Sequence, residues 1–517
     1  MKVGIDFGTT RIVVAAADRG NYPLVNFEGP DGRFRDWFPS VMAVSGPERV
    51  YGWHALERQG EEGWTVVRSI KRLLKSAGPQ SEIEVAGQRL GPAQLATEMM
   101  AALLRDLRER STLDARSRDR FEAVLGVPAN ANSNQRFLTE EAARGAGFEV
   151  LGLLNEPSAA AIEFAYRNAG ERKNRAKQTL LVYDFGGGTF DAALVDLYDN
   201  EHTVIASDGI PDLGGDDFDE ILGLLALGTA GKPGDHEESL SAAEWYLLFD
   251  ECREKKEALN SNSRKISVDL ERVRKGWKDV SIGVDLFYER CRPLIEQSRR
   301  VTENLLNTHD QLSVDTLYLT GGGSELPPVA RVLRETFGRR VRRSAYMRSA
   351  TAIGLAIRAS GHEVRPIRDQ FTKNFGVWRE ADEGKSIVFD VIFPRGIKLP
   401  SKGEAPLRVF RRYTPAHNIG HFRYLECGRL GANDQPEGEI NHWDDIRVPF
   451  DPNLQELADL DEKPISRYAA KSGQSIEEEY TCDANGALQV RIRDNATQRV
   501  NEYRLGRWSK NRRRGRG

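Results

Sequence analysis

The chain has 517 residues, 39% of them hydrophobic and 29% charged, with a formal net charge of −3 at pH 7. This length accommodates about two to four domains at roughly 150 residues apiece, the fractions are those of globular proteins, and the near-zero charge argues against nucleic acid as the main partner. With no apolar run of about eighteen residues, and a strand pattern where an export signal would stand, a cytoplasmic protein without a membrane partner is expected.

Near the start, Val3-Gly4-Ile5-Asp6-Phe7-Gly8-Thr9-Thr10 carries an apolar run into an aspartate and then a glycine and hydroxyl turn, and residues 12–16 are apolar again. Two strands joined by a phosphate-sized loop fit this pattern. Backbone N–H groups of such a turn converge into an anion nest, and an aspartate at the strand end can hold the hydration shell of a magnesium ion. Residues 94–107 place apolar side chains at helical spacing. In Asn155-Glu156-Pro157-Ser158 the serine beside the proline marks a helix start, where Glu156 would act on the helix dipole or as a cap. The opening device then returns as Leu181-Val182-Tyr183-Asp184-Phe185-Gly186-Gly187-Gly188-Thr189, with an apolar continuation over 190–195. Neither copy has the glycine pattern of a Rossmann turn or a P-loop, and each leads into a strand where those motifs need a helix. Residues 231–234 read as a loop and 286–306 as a long amphipathic helix interrupted only by Pro293. A third glycine loop, Gly321-Gly322-Gly323, follows the apolar run 316–319. Two facing nests would grip a nucleotide polyphosphate from both sides.

With these loops stand GIDFGTTR at 4–11, IKRLLK at 70–75, GVPANANSNQR at 126–136, LLNEPSAAAIEFAY at 153–166, YDFGGGTFD at 183–191, LGGDDFD at 213–219 and TGGGSELPPV at 320–329. In this order and at this spacing the chain resembles the 70-kilodalton heat-shock chaperone family of the actin-like ATPase superfamily. The resemblance implies an α/β actin-like (duplicated, ribonuclease-H-like) ATPase domain over 1–360 that binds ATP or ADP with Mg²⁺. It implies that Asp6 and Asp184 contact the metal through its waters, and that Thr9, Thr10 and Thr189 supply hydroxyls to the phosphates. Gly8, Gly186, Gly187, Gly188, Gly214, Gly215, Gly321, Gly322 and Gly323 would line the nucleotide, and Lys256 keeps its family type on the helix that cradles ribose and adenine. Lys71 matches the lysine that reaches the γ-phosphate and the attacking water, although by charge pattern alone Lys71, Arg72 and Lys75 read as a solvated helix face. Glu156 matches a glutamate that organises the magnesium and water network. Pro128 and Arg144 match a pair that relays the nucleotide state, against the plainer reading of a turn proline and a surface arginine. On the adenosine side the chain departs from the family: Arg253 stands where a glutamate takes the ribose hydroxyls. Glu257 and Glu325 stand where many members sandwich adenine between arginines, so guanidinium stacking is lost at those positions.

A boundary is expected after Ser360, with a linker over 361–370 in which Val364-Arg365-Pro366-Ile367-Arg368 replaces the family's acidic, leucine-rich segment. Strands are predicted at 387–393, 407–413, 422–427, 446–450, 478–482, 488–492 and 500–505, the last three joined by Asp483-Ala484-Asn485-Gly486 and Asp494-Asn495-Ala496-Thr497 turns. They make an all-β sandwich over 371–506 that resembles the family's peptide domain, where an extended peptide is held through its main chain. Residues 454–475 form an unmatched insertion with room for a short helix. Only eleven residues follow Gly506, so the family's helical lid is expected to be missing. Residues 507–517, with Arg507, Lys510, Arg512, Arg513, Arg514 and Arg516, read as a solvated, disordered basic tail, the one part suited to RNA or an acidic surface. Cys252, Cys291, Cys427 and Cys482 have no CxxC pairing, and reduced thiols are expected.

The expectation is therefore an ATP-hydrolysing, lidless, monomeric chaperone of the folding and stress response. Its clients would be unfolded or extended polypeptides, and J-domain proteins and nucleotide exchange factors its co-chaperones. Two rivals stand beside it: an actin-like ATPase whose β-domain binds one folded partner, and a sugar kinase of the same superfamily. The kinase is disfavoured by the β-domain and by the matches at Lys71 and 153–161.

Overall fold

A computed structural model describes residues 1–68, 71, 82–85, 87–129, 131–169, 177–198, 202–231, 240–309, 312–361, 367–382, 385–401, 403–454, 460, 463–468 and 473–505. They divide into two compact units, one of the residues up to Ile367 except 131–138, the other of 131–138 and 368–505.

Two sheets organise the first unit. The first comprises β1 (Lys2–Phe7), β2 (Arg11–Ala16), β3 (Phe38–Pro39), β4 (Glu122–Val127) and β5 (Glu149–Asn155) in the order β5-β4-β1-β2-β3. The second comprises β6 (Lys177–Phe185), β7 (Phe190–Tyr198), β8 (His202–Ile210), β9 (Thr316–Thr320), β10 (Val341–Arg343) and β11 (Ile367–Arg368) in the order β10-β9-β6-β7-β8-β11. In both, a central antiparallel hairpin, β1–β2 or β6–β7, carries two parallel strands on one side and an antiparallel strand on the other. The repeat in the sequence is thus a repeat of topology, and each glycine turn closes the same central hairpin. These strands are near-continuous apolar runs because both faces are covered.

Helices α1 (Pro92–Glu109) and α2 (Ser133–Ala146) precede α3 (Glu156–Arg167), and α1 contains the predicted 94–107. Helix α3 starts two residues earlier than its serine suggested, because Pro157 is accommodated in the first turn, where its missing N–H has no helical partner to lose. Then come α4 (Gly215–Thr229), α5 (Ala242–Glu257), α6 (Val284–Asn307), α7 (Pro327–Phe337) and α8 (Ala350–Ser360). Helix α6 is continuous through Pro293, since Pro293 and Glu289, whose carbonyl loses its donor, both lie on the exposed face where water substitutes. Helices α3 and α8 cross closely: a Cβ on Gly354 would stand 1.8 Å from the carbonyl oxygen of Ala159. They share one core with Val13, Val124 and Leu154 of the first sheet and Leu180, Val182 and Val195 of the second. Ile367 is buried in the same core, so the first unit continues past the boundary anticipated at residue 360. No helix among the described residues is long and apolar enough to cross a membrane.

The second unit contains two antiparallel four-stranded sheets. Its strands are β12 (Asn374–Ala381), β13 (Ser386–Phe393), β14 (Leu407–Tyr413), β15 (Ile419–Leu430), β16 (Pro436–Pro449), β17 (Ile476–Cys482), β18 (Leu488–Asp494) and β19 (Arg499–Arg504), in the orders β13-β12-β15-β16 and β14-β17-β18-β19. Strand β12 was not anticipated, because Gly376 interrupts its alternation and the half-buried Arg379 is held there by two carboxylates. In the β17–β18 turn Asp483 Oδ1 accepts the N–H groups of Asn485 and Ala487 at 2.9 Å, and Gly486 takes φ +77°. Phe375, Phe422, Tyr424, Tyr480 and Val490 fill the core. Beside them the Arg379 guanidinium donates to Glu478 and Asp390, each at 2.6 Å, and Arg411 donates to Asp390 at 2.7 Å. The four cysteines are buried and free. Residues 70 and 72–75, 232–234, 362–366 of the anticipated linker, much of 454–475 and the basic tail lie outside the described residues.

Candidate functional site

Because β1 and β6 end in equivalent positions, their turns meet across a cleft of about 1030 Å³ in the first unit. Gly8, Thr9 and Thr10 line it from one sheet, Gly186, Gly187 and Thr189 from the other, and Gly321, Gly322 and Gly323 from the turn after β9. The Gly186 N–H donates to the Thr189 carbonyl at 2.9 Å and that of Gly215 to the Gly186 carbonyl at 3.0 Å, tying the start of α4 to the second turn. A Cβ on Gly187 would stand 2.2 Å from Thr10 Oγ1, so the two copies face each other with room only for glycine. Gly321, at φ +85°, would place one 2.3 Å from Asp184 Oδ1. Gly188 and Gly214 are set behind the wall, where a Cβ on Gly214 would lie 2.5 Å from the Gly188 nitrogen.

Acids collect at this meeting point. Asp6 is the penultimate residue of β1 and Asp184 of β6, Asp191 faces Asp184 in the β6–β7 register, and Glu156 opens α3. Lys71 Nζ donates to Glu156 Oε1 at 2.5 Å with only 13% of its side chain exposed, so it is not a solvated surface lysine. Burial and then the Glu156 charge push Asp6 up to about 7, against the pull of Lys71. Asp191 is pushed up to about 7 by the same two causes, and Asp184 rises through burial and the neighbouring charges of Glu156, Asp6 and Asp191. Burial would lower the Lys71 ammonium, yet Glu156 and Asp6 outweigh it and hold it above its ordinary value. Four carboxyl groups outnumber the one ammonium beside the glycine turns, and burial and their mutual repulsion raise the proton affinity of Asp6, Asp184 and Asp191. A polyphosphate carrying a divalent cation fits both halves of that arrangement. Asp191 was missed as a site residue; its signal is the hairpin register, which sets it opposite Asp184, with the Ala129 N–H donating to it at 3.1 Å.

Around this centre, Lys256 at the end of α5 donates to the Gly215 carbonyl at 2.6 Å and pairs with Asp219 at 2.7 Å, holding the start of α4. Arg253 pairs with Asp250, which also accepts from Arg68 at 2.9 Å. Glu257 accepts from both Arg11 and Arg348 at 2.8 Å, and Glu325 accepts from Arg348 at 2.8 and 2.5 Å. Burial would raise Glu257, but Arg11 and Arg348 hold it down to about 2. Positions 257 and 325 carry no guanidinium, but Arg11 and Arg348, paired with these two glutamates, both line the cleft. Arg144 pairs with Glu140 one turn earlier on α2, at 2.8 Å, with 45% of its side chain exposed.

A family model described as Hsp70 protein matches residues 2–369. The chaperone protein DnaK of Thermosipho africanus is 29% identical over 484 residues, covering 87% of this chain and 75% of that protein. DnaK of Deinococcus deserti is 28% identical over 542 aligned residues, 97% of this chain and 78% of the relative. A chaperone protein HscA homolog of Burkholderia ambifaria is 32% identical over 378 residues, 69% of this chain and 58% of its own length. Since the match spans both glycine turns, Lys71, Glu156 and the third loop, this chain belongs to the Hsp70 protein family.

Proposed function

We propose that this chain hydrolyses ATP and uses the cycle to bind and release unfolded or extended polypeptide. At family level, Hsp70 proteins are ATP-dependent chaperones that bind ATP or ADP with Mg²⁺. The observation that carries the reading for this chain is the meeting of the two glycine turns over the Asp6, Asp184, Glu156 and Asp191 cluster. The shared strand pattern of the two sheets supports an actin-like duplicated domain around it.

Phosphoryl transfer to water depends mainly on positioning and on stabilising charge. Bound magnesium would supply charge neutralisation of the phosphates. Asp6 and Asp184 are the residues to hold its hydration shell, and Thr10 and Thr189 offer hydroxyls beside the nests. Lys71, oriented by Glu156, is the group to hold the attacking water against the terminal phosphate. The sandwich would take an extended chain through main-chain hydrogen bonds. A J-domain protein and a nucleotide exchange factor are the partners this reading brings, in a cytoplasmic monomer.

A pull-down with wild-type protein and Lys71→Met in the presence of ATP tests it. The reading expects the variant to retain a broad set of clients and to bind a denatured model polypeptide. Saturable capture of a single folded protein with none of the denatured chain would favour a partner-specific ATPase. Phosphate release that requires an added sugar would favour a kinase.

A further inference from the structure

Arg348 lies between β10 and α8, two residues before the helix begins, and lines the cleft. Its Nε and Nη2 both donate to Glu325 Oε2, at 2.8 and 2.5 Å, and its Nη1 donates to Glu257 Oε2 at 2.8 Å. Two carboxylates therefore engage the edge of the guanidinium on three of its nitrogens. Its stem runs along the third glycine loop, with Cγ 3.8 Å from where a Cβ on Gly322 would be. What such a group has left to offer a ligand is its flat, charged face, and the chemistry of that face is stacking on an aromatic ring. Burial would lower its pKa, but Glu325 and Glu257 hold it above its ordinary value, so the face stays cationic.

Resting on the nucleotide reading above, we infer that Arg348 is the residue on which the base of the bound nucleotide stacks, with Glu325 and Glu257 as its positioning residues. The charges are inverted relative to the expected sandwich: glutamates occupy the arginine positions and a third position supplies the arginine. Arg11, the other guanidinium on Glu257, already lies 4.7 Å over the Trp37 ring. A stacking face reads no hydrogen-bond pattern, so it accepts either purine.

Calorimetry on the full chain with MgATP, MgGTP and magnesium tripolyphosphate, which has phosphates and no base, tests the inference alongside thermal melting. Wild type should bind ATP and GTP within about tenfold of each other and both more tightly than tripolyphosphate. Arg348→Ala should weaken ATP by about tenfold and leave tripolyphosphate within about twofold. Arg348→Lys, which keeps the charge without the plane, should also weaken ATP. The exchanged pair Arg348→Glu with Glu325→Arg should recover ATP to within about threefold of wild type. An Arg348→Ala that binds ATP normally, or that loses ATP and tripolyphosphate equally, overturns the inference. If Arg348→Ala melts too early to measure, failure of the exchanged pair to bind ATP overturns it. A wild type that binds none of the three ligands overturns the nucleotide reading itself.

Discussion

Lys71→Met takes an ammonium out of a cluster of four carboxylates. Its Nζ lies 2.5 Å from Glu156, with the two side chains 13% and 10% exposed, and its charge draws down the proton affinity of Asp6, Asp184 and Asp191. At an effective dielectric constant of about 20, a unit charge about 4 Å away is worth about 4 kcal/mol. Removing one partner of a buried pair costs about 3–5 kcal/mol, so the nucleotide-free variant should melt several degrees lower. Turnover should fall by roughly 10²–10³-fold, the loss typical of one preorganised electrostatic group, while the glycine turns still bind nucleotide. Single-turnover phosphate release at saturating MgATP, with calorimetric affinities, reads both effects. Pairing the change with Glu156→Gln removes the stranded carboxylate and should restore stability without restoring turnover. Turnover within about threefold of wild type in Lys71→Met, or its recovery in the double variant, would refute a role at the reacting phosphate. Lys71 would then be only the counter-charge of Glu156.

Asp6→Asn and Asp184→Asn should each weaken nucleotide binding in magnesium and change it little in a chelator, since each removes a charge facing the hydrated ion; calorimetry in which wild-type affinity ignores magnesium would sink that assignment. Asp219 is pushed up to about 6 by burial, against the pull of Lys256. Its folded form keeps a proton that the unfolded chain, near 3.8, has released, so its contribution to stability declines as pH rises from about 4 to about 6. Thermal melts of wild type should therefore lose ground to Asp219→Asn across that interval, and parallel curves would contradict the sign. Arg379→Met leaves the fully buried Glu478 without its cation and should destabilise the sandwich by about 3–5 kcal/mol in denaturant melts followed by near-ultraviolet dichroism; a change below about 1 kcal/mol would mean that the pair carries little.

Local backbone physics is what the sequence by itself determined. An apolar run that stops at an aspartate and a glycine turn is a strand end whatever surrounds it, so both central hairpins, the third glycine loop and the last two sandwich turns were legible from neighbours in the chain. Whatever depended on distant partners was not. Lys71 reads locally as one of three solvated cations, and only Glu156, 85 residues away, makes it a cleft residue. Strand β12 was hidden because Gly376 breaks its alternation and because the half-buried Arg379 is held by Asp390 and by Glu478, the latter 99 residues on. Glu257 and Glu325 signalled a lost guanidinium until the fold brought Arg348 between them, 91 and 23 residues away in the chain. Burial and charge pairing are properties of the assembled surface, and a one-dimensional pattern carries them only where the partners are close enough in sequence to share a turn.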